Sequence, residues 1–186
     1  TGGLGYIGTE LCKLYSGVSW YHNIIVIDNR FISERVNQIR NWNMEFIQGD
    51  ILDTNLIRTY CKDADVIHHL AGITDVPRTR SESLKSQDEK IQEVGEKGTQ
   101  NILDTISDTC KIIFPSTHVV YEGIKEVKTD IKENEELKPI LSYSSSKAFN
   151  ENQLKKSGKN FVILRLGSVY GYSTDSMRID IMPNLF

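Results

Sequence analysis

Three glycines at the start of this chain have a spacing that restricts what it can fold into. Residues 1–8 read TGGLGYIG, so Gly2, Gly5 and Gly8 are placed as in a tight turn that leads into a helix. Gly2 suits the turn, Gly5 lets a pyrophosphate approach the backbone, and Gly8 lets the helix pack close to a strand. Amide groups at the helix N-terminus would hold the anion. A glycine-rich surface turn is the alternative, which the following residues must exclude.

An acidic residue after the next strand favours the phosphate-binding turn. Residues 24–27 are consecutive aliphatics followed by Asp28 and Asn29, a pattern typical of a buried parallel strand. Apolar residues recur at helical spacing before it, at Ile7, Leu11, Leu14 and Tyr15. Asp28 predicts recognition of an adenosine ribose, and therefore NAD rather than NADP. Arg30 leaves NADP as an alternative, because a guanidinium there could bind its 2′-phosphate.

Length and composition are those of one globular domain with a hydrophobic core. The chain has 186 residues, 39% of them hydrophobic and 25% charged, with a net charge of -3. It contains no long basic run, so nucleic acid is not an expected partner. It contains no apolar stretch long enough to cross a bilayer, so a membrane is not expected either.

The cysteines indicate a reducing compartment. Cys12, Cys61 and Cys110 are odd in number and widely separated. This pattern predicts buried free thiols rather than a disulfide framework or a metal site. We therefore expect a cytoplasmic protein.

Strands and helices are predicted to alternate along the rest of the chain. The predicted helices cover 33–42, the residues through 56–60, 82–107 and a segment from about 142. The predicted strands cover 44–48, 65–72 with its exit turn, 112–114 and 161–166. Residues 122–138 are strongly charged and are predicted to form a solvated loop. Alternation of this kind predicts a doubly wound, parallel α/β sheet of the Rossmann type.

Small and polar residues follow the predicted strands. Asp50 suits either a contact to an adenine amino group or a helix cap, and Asp53 or Thr54 is expected to cap the next helix. Ala71 and Gly72 would let a cofactor pass close to the backbone. The pair 68–69 is two histidines without partners at metal-ligand spacing, so packed histidines and no metal site are predicted.

Tyr143 and Lys147 carry the predicted chemistry. They are four residues apart, so a helix places them on the same face. A nearby ammonium favours the phenolate and lowers the phenol pKa from about 10. Tyr143 could then take a proton from a substrate hydroxyl while a nicotinamide accepts hydride. Thr117, after an earlier strand, could bond the same oxygen, with Ser116 as the competing candidate.

Together these motifs resemble those of the extended short-chain dehydrogenase/reductases, in the NAD-dependent sugar epimerase/dehydratase group. The resemblance spans nearly the whole chain and includes 98–101, 116–121 and 165–171 besides the motifs above. It selects Thr117 over Ser116 and implies catalytic roles for Thr117, Tyr143 and Lys147. The cofactor-binding residues expected from residues and resemblance together are Gly2, Gly5, Tyr6, Ile7, Gly8, Asp28, Asn29, Asp50, Ile51, Leu70, Ala71, Gly72, Tyr143 and Lys147. Thr117, Tyr143 and Ser168 are the expected substrate contacts.

The resemblance implies epimerisation of a nucleotide sugar, as in UDP-glucose 4-epimerases. Tyr143 would remove a hydroxyl proton, NAD would take the hydride, and the keto sugar would turn over before the hydride returns. The alternatives are a net NAD(P)-dependent oxidoreductase on a sugar or other carbonyl, and a non-catalytic NAD-sensing or scaffold protein. The expected partner is the small-molecule nucleotide sugar, and a homodimer is a further expectation.

Three positions depart from the family pattern, and two more differ from its water-eliminating members. Gly95 stands where the family usually has Asn, Ser168 replaces another Asn, and Glu122 separates Tyr121 from Gly123. Members that eliminate water carry Asp-Glu directly after the catalytic threonine, whereas residues 118–119 here are His and Val. Valine cannot transfer a proton, so no 4,6-dehydratase activity is expected.

The chain is expected to be a fragment. A dinucleotide-binding glycine turn leaves the end of a central strand, yet Thr1 already stands in the turn. The NAD-binding domain is therefore assigned to 1–171 with its first strand missing. Residues 172–186 are assigned to the start of a smaller C-terminal substrate lobe. The fragment alone is expected to be poorly stable and inactive.

Overall fold

The computed structural model describes residues 1–74 and 84–173. Its helices are α1 (Tyr6–Tyr15), α2 (Ser33–Asn41), α3 (Thr54–Cys61), α4 (Lys85–Gln92), α5 (Gly98–Thr105) and α6 (Ser142–Lys156). Its strands are β1 (Ile25–Asp28), β2 (Glu45–Gln48), β3 (Val66–His68), β4 (Lys111–Thr117) and β5 (Asn160–Leu166). Helices and strands alternate as the sequence pattern predicts. The part of the predicted substrate lobe in 174–186 lies outside the described residues, so the boundary after 171 stays a prediction.

All strand pairs are parallel, which confirms the predicted sheet. β1 pairs with β2, and β4 lies between β3 and β5. The residues before α1 connect these two groups of strands: the Gly2 amide donates to Ile27 O (2.7 Å), and Leu70 N donates to Thr1 O (3.1 Å). The glycine turn therefore lies between the carboxyl ends of β1 and β3, the edge where parallel sheets bind ligands.

Two hydrophobic clusters hold the helices on the strands. One contains the strand residues Ile112 and Phe114 with Ile57 of α3, Ile102 of α5 and Leu154 of α6, all nearly inaccessible to solvent. The other packs α1 and α2 on β1 and β2 and includes Leu4, Cys12, Val26, Val36, Ile39 and Phe46. In α1 the buried positions are Gly8, Thr9 and Cys12, whereas Leu14 of the expected apolar face is 79% exposed.

β4 is longer than predicted. The sequence pattern predicted a strand over 112–114 with Pro115 after its end, yet pairing with β5 continues from Phe114 to Thr117. Proline is tolerated because β3 pairs with β4 only as far as Ile113, so the Pro115 nitrogen needs no ladder bond. Ser116 and Thr117 are consequently strand residues whose side chains face opposite ways.

The long helix predicted over 82–107 is interrupted. Its first residues lie outside the described ranges, α4 begins at Lys85, and the turn Glu93–Lys97 is π-helical before α5 continues. Gly95 lies inside this π turn. π turns insert an extra residue into a helix and are frequent at functional sites.

The predictions of buried free cysteines and of a packed histidine agree with the structure. Cys12, Cys61 and Cys110 are free and buried. His69 is buried between the hydroxyls of Thr1 (2.9 Å) and Thr99 (3.0 Å), so it is a packed histidine as expected.

Over 1–74 and 84–173 no helix is long and apolar enough to span a membrane. Nor do these ranges contain a group of side chains suited to hold a metal ion.

Candidate active site

One large cavity of about 1430 Å³ lies at the carboxyl ends of the strands. Its wall includes every residue predicted to bind the cofactor: Gly2, Gly5, Tyr6, Ile7, Gly8, Asp28, Asn29, Asp50, Ile51, Leu70, Ala71, Gly72, Tyr143 and Lys147. It also includes Thr117 and Ser168. The fold thus brings residues from the two ends of the described chain into one site.

The glycine turn is packed too tightly for side chains. Gly2 has a φ of +71°, and a Cβ there would be 2.5 Å from Ala71 N. A Cβ on Gly8 would overlap the Gly2 carbonyl, and one on Gly3 would overlap the Val26 side chain. The close approach to a strand that was expected at Gly8 is therefore made at Gly3, which contacts Val26 of β1. Gly8 packs instead on Gly2 and Gly3 of the turn itself.

The first turn of α1 is suited to an anion. Gly5 is its N-cap and provides no side-chain cap. The first amide groups of a helix have no intrahelical partners, so those of Tyr6 and Ile7 on the cavity wall are available to an oxyanion. The helix dipole adds a partial positive charge at the same point. These features fit a dinucleotide pyrophosphate.

Asp28 organises the ribose end of the cavity. It is buried, and its Oδ2 accepts from Leu4 N (2.9 Å) while Oδ1 accepts from Arg30 N (3.0 Å) and Nε (3.3 Å). A carboxylate has about four acceptor sites and three are occupied, so one remains for a ribose hydroxyl. Arg30, whose side chain is 55% exposed, is thus held as the ion-pair partner of Asp28.

This ion pair predicts the cofactor preference. We expect NAD to bind at least about tenfold more tightly than NADP, because Asp28 repels a 2′-phosphate and already neutralises Arg30. The change Asp28→Asn should narrow that ratio, while Asp63→Asn on the exposed surface serves as the control. Dissociation constants from calorimetry measure both. Tighter binding of NADP to the unchanged protein would contradict the prediction.

The structure separates the two roles considered for the acidic residues after β2. Asp53 caps α3, because its Oδ1 accepts from Asn55 N (3.0 Å) and Leu56 N (3.1 Å). Asp50 does not cap that helix and accepts instead from Leu52 N (3.0 Å) and Asn29 Nδ2 (3.2 Å). Its adenine contact stays a prediction that its place on the cavity wall supports.

Ser116 and Thr117 have different surroundings. The Ser116 hydroxyl donates to Glu151 Oε1 (2.7 Å), and this buried carboxylate also binds Arg165, through Nε (2.9 Å) and Nη2 (2.6 Å). Bonds from Arg165 and Ser116 hold the pKa of Glu151 below its usual range although burial opposes this. Thr117 Oγ1 accepts from Val119 N (3.3 Å), and within 1–74 and 84–173 its hydroxyl hydrogen is left available to a substrate oxygen.

Lys147 is held beside Tyr143 in the first turns of α6. Its Nζ donates to Pro115 O (2.9 Å) and lies 4.5 Å from the centre of the Phe114 ring and 5.9 Å from that of Tyr143. Burial lowers the pKa of Lys147 to about 8. An ammonium at this distance favours the phenolate of Tyr143. Phe114 and Pro115 of β4 therefore hold Lys147 beside Tyr143.

The polar face by which α6 packs was not foreseen. Its buried residues are Ser144, Ser146, Asn150, Glu151 and Leu154, so the helix has almost no apolar stripe. Asn150 Nδ2 donates to Gly95 O (3.1 Å), and Gln153 Nε2 donates to Glu96 O (3.1 Å). Carbonyls in the π turn are thus bound by α6. The sequence signal was the near absence of apolar side chains over 142–153.

Gly95 leaves space that Ser146 occupies. A Cβ on Gly95 would overlap the Ser146 hydroxyl but would be 3.7 Å from the Ser146 Cβ. We expect Gly95→Ala to lower the free energy of unfolding by roughly 1–3 kcal/mol, as overpacking does, and Ser146→Ala to restore most of it in the double variant. Gly17→Ala, where a Cβ meets nothing within 4 Å, is the control. Additive effects in urea unfolding would contradict this coupling.

The segment after β5 closes one side of the cavity. Gly167, Ser168 and Val169 are on its wall. The Tyr6 hydroxyl donates to Gly171 O, and Ser173 Oγ donates to Glu10 Oε1 (2.7 Å). These bonds attach the segment to α1 directly above the glycine turn.

Comparison with known proteins agrees with the site. The model of the NAD-dependent epimerase/dehydratase family matches residues 1–184. The chain belongs to this family. Its curated relatives include a dTDP-D-glucose 4,6-dehydratase of Dictyostelium discoideum (30% identical, covering 92% of this chain and 43% of the relative). Another is a UDP-glucose 4-epimerase of Lactobacillus helveticus (29%, covering 94% and 52%). The chain thus spans about half the length of these relatives.

Solved structures of epimerase/dehydratase enzymes share the fold. A UDP-glucuronic acid 4-epimerase from Bacillus cereus, in complex with UDP-glucuronic acid and NAD, matches with a TM-score of 0.76 and 26% identity. The match covers 98% of this chain and 59% of that one. A UDP-glucose 4-epimerase from Brucella ovis in complex with NAD matches with a TM-score of 0.67 and 29% identity, covering 88% and 49%. The family to which the chain belongs is NAD-dependent, and its characterised relatives are enzymes.

Proposed function

We propose that this chain is the NAD-binding and catalytic part of an enzyme that epimerises a nucleotide sugar, in the manner of UDP-glucose 4-epimerases. The observation that carries the proposal is that the glycine turn, Thr117, Tyr143 and Lys147 all line the same cavity. A non-catalytic NAD sensor has no need of a buried lysine beside that tyrosine. The free, buried cysteines support the cytoplasmic location that we also propose.

The chain's own residues fit NAD along the length of the cavity. The first turn of α1 would hold the pyrophosphate, and Asp28 the adenosine ribose. Asp50 and Ile51 would border the adenine, and Leu70, Ala71 and Gly72 the middle of the cofactor. Bound NAD supplies a reversible hydride acceptor for one carbon of the sugar.

Tyr143 is the proposed base. Its phenolate would take the proton of the substrate hydroxyl and later return it, so that the group ends each turnover as it began. The Lys147 ammonium would stabilise the phenolate, and its bond to Pro115 O keeps it in place. Thr117 would donate to the same substrate oxygen and orient it. Since the sugar is oxidised and then reduced again, the net reaction consumes no oxidant.

The substrate class rests on the family and on the space available. The cavity extends beyond the residues proposed to bind NAD, as far as Ser168 and Val169. Several relatives are named for UDP- or dTDP-linked sugars. We propose a nucleotide sugar for this chain, with Ser168 as a contact in place of the asparagine of the family pattern.

The residues after Thr117 predict which reaction of the family is absent. His118 and Val119 line the cavity where water-eliminating members carry Asp-Glu. Val119 has no proton to give, so we expect no keto-deoxy sugar from dTDP-glucose, although a dehydratase is among the relatives. Mass spectrometry of the product would detect the loss of water. Formation of such a product would contradict the prediction.

Activity of the full-length protein tests the proposed function. The purified protein would be incubated with a panel of nucleotide sugars without added NAD, and the products separated from their epimers. We expect an epimer to form with no accumulation of NADH. Stoichiometric NADH release would instead identify a net oxidoreductase, and no turnover with any sugar would contradict the proposal.

A further inference from the structure

Glu122 anchors the entry into α6, although it belongs to the segment after β4. Its Oε1 accepts from the backbone nitrogens of Ile140 (2.6 Å) and Leu141 (2.8 Å). The Ser144 hydroxyl donates to the same oxygen. Leu141 is the N-cap of α6, and its side chain cannot accept a hydrogen bond. Glu122 therefore does not take the place of a cap side chain; it joins the backbone just before α6 to the Ser144 hydroxyl in the first turn of the helix.

The anchored turn is the one that carries the proposed base. Tyr143 is the second residue of α6 and lies between Leu141 and Ser144 in the sequence. Glu122, Leu141, Tyr143 and Ser144 are all on the cavity wall. A change in the entry into α6 would therefore move the phenol relative to Thr117 and Lys147.

Glu122 also contributes charge to this end of the cavity. Its carboxylate would repel a phenolate on Tyr143, whereas the Lys147 ammonium attracts it. The other titratable side chains on the wall near α6 are His118, from the turn after β4, and Lys90 and Glu93, from α4 and the π turn. Among these groups Glu122 is the acidic one bonded directly to the first turn of α6.

We propose that Glu122 is a positioning residue for Tyr143: it fixes the first turn of α6 and, through its charge, sets the pH at which Tyr143 becomes a phenolate. The proposal rests on the proposed function only for the role of Tyr143 as the base. It also explains why a glutamate separates Tyr121 from Gly123 in this chain, where the family pattern has the two residues adjacent.

The change Glu122→Gln tests the electrostatic part, because glutamine keeps an acceptor oxygen but loses the charge. The Tyr143 pKa in the full-length protein would be measured from tyrosinate absorbance, as the difference between each protein and its Tyr143→Phe derivative. We expect Glu122→Gln to lower this pKa by about 0.5 unit, the size of a Coulomb interaction across a partly solvated gap. The change Glu126→Gln, at an exposed position of the same loop, should leave it unchanged.

Kinetics test the positional part. The change Glu122→Ala removes the acceptor, and we expect kcat to fall roughly tenfold or more while KM changes little, because the base is displaced. The change Glu122→Gln should retain most of the kcat and shift the acidic limb of the pH profile by the amount measured spectroscopically. An unchanged Tyr143 pKa in Glu122→Gln, or full kcat in Glu122→Ala, would overturn the inference. Absence of turnover in the unchanged protein would count against the proposed function alone, since the absorbance measurement needs no substrate.

Discussion

Replacing Tyr143 by phenylalanine should lower kcat by about 10²-fold to 10⁴-fold, the contribution of a positioned general base. The phenyl ring keeps the size of the side chain and its place in the first turn of α6, so only the proton-transfer group is lost. The rate of epimer formation by the full-length protein, at saturating nucleotide sugar, measures the effect. This is the largest change in activity that we expect from a single oxygen atom in the chain.

The control for this prediction is cofactor binding. The glycine turn, Asp28 and the other proposed cofactor contacts are unaltered, and Tyr143→Phe removes one hydroxyl from the set, so the dissociation constant for NAD should change less than about threefold. The change Tyr21→Phe, at a tyrosine that is 85% exposed, should affect neither quantity. Activity near that of the unchanged protein in Tyr143→Phe would remove Tyr143 from the mechanism.

Replacing Lys147 by methionine should reduce activity and alter how stability depends on pH. Without the ammonium the phenol pKa rises towards its ordinary value, and we expect a loss in kcat of roughly 10²-fold near neutral pH. The stability effect follows from the Lys147 pKa, which burial lowers from 10.5 to about 8. Between these values the unfolded chain binds more protons than the folded protein, so lysine at this position makes stability rise with pH.

Urea unfolding at several pH values measures this effect. The free energy of unfolding of the unchanged protein, minus that of Lys147→Met, should increase between pH 8 and pH 10.5. Methionine also removes the donor to Pro115 O, but that cost does not depend on pH. The change Lys156→Met, at an exposed lysine of α6, should give a difference that is nearly constant over the same range. A constant difference for Lys147→Met would show that its pKa is not lowered.

Much of the fold could be predicted because its signals are local. Short runs of aliphatic residues such as 24–27, followed by polar residues, are typical of buried parallel strands, and the helical spacing between them leaves few topologies. The glycine spacing predicted the turn into α1 because glycine adopts φ values such as the +71° of Gly2 without the strain that a Cβ causes. The predicted end of β4 was wrong. Proline can continue this strand only because β3 stops before it, and the residues around Pro115 do not indicate where β3 stops.

The composition of the site was also largely predictable, since ordered motifs selected residues that all line one cavity. Their hydrogen-bond partners were not. The pairing of Arg30 with Asp28, the capping role of Asp53 and the different surroundings of Ser116 and Thr117 depend on side chains in space. The sequence left Asp53 and Thr54 as alternative caps of α3, and two hydrogen bonds identify Asp53 as the cap.

The sequence by itself determined the family, the parallel α/β architecture and the residues placed around the proposed chemistry, because each depends on residue types at fixed spacings. Tertiary structure decided how α6 is held. Its buried face is polar, so it is fixed by directional bonds to Glu122, to the π turn around Gly95 and to β4, rather than by an apolar stripe. Hydrogen bonds between segments far apart in the chain leave no periodic trace in the sequence, and they are what orient Tyr143 and Lys147.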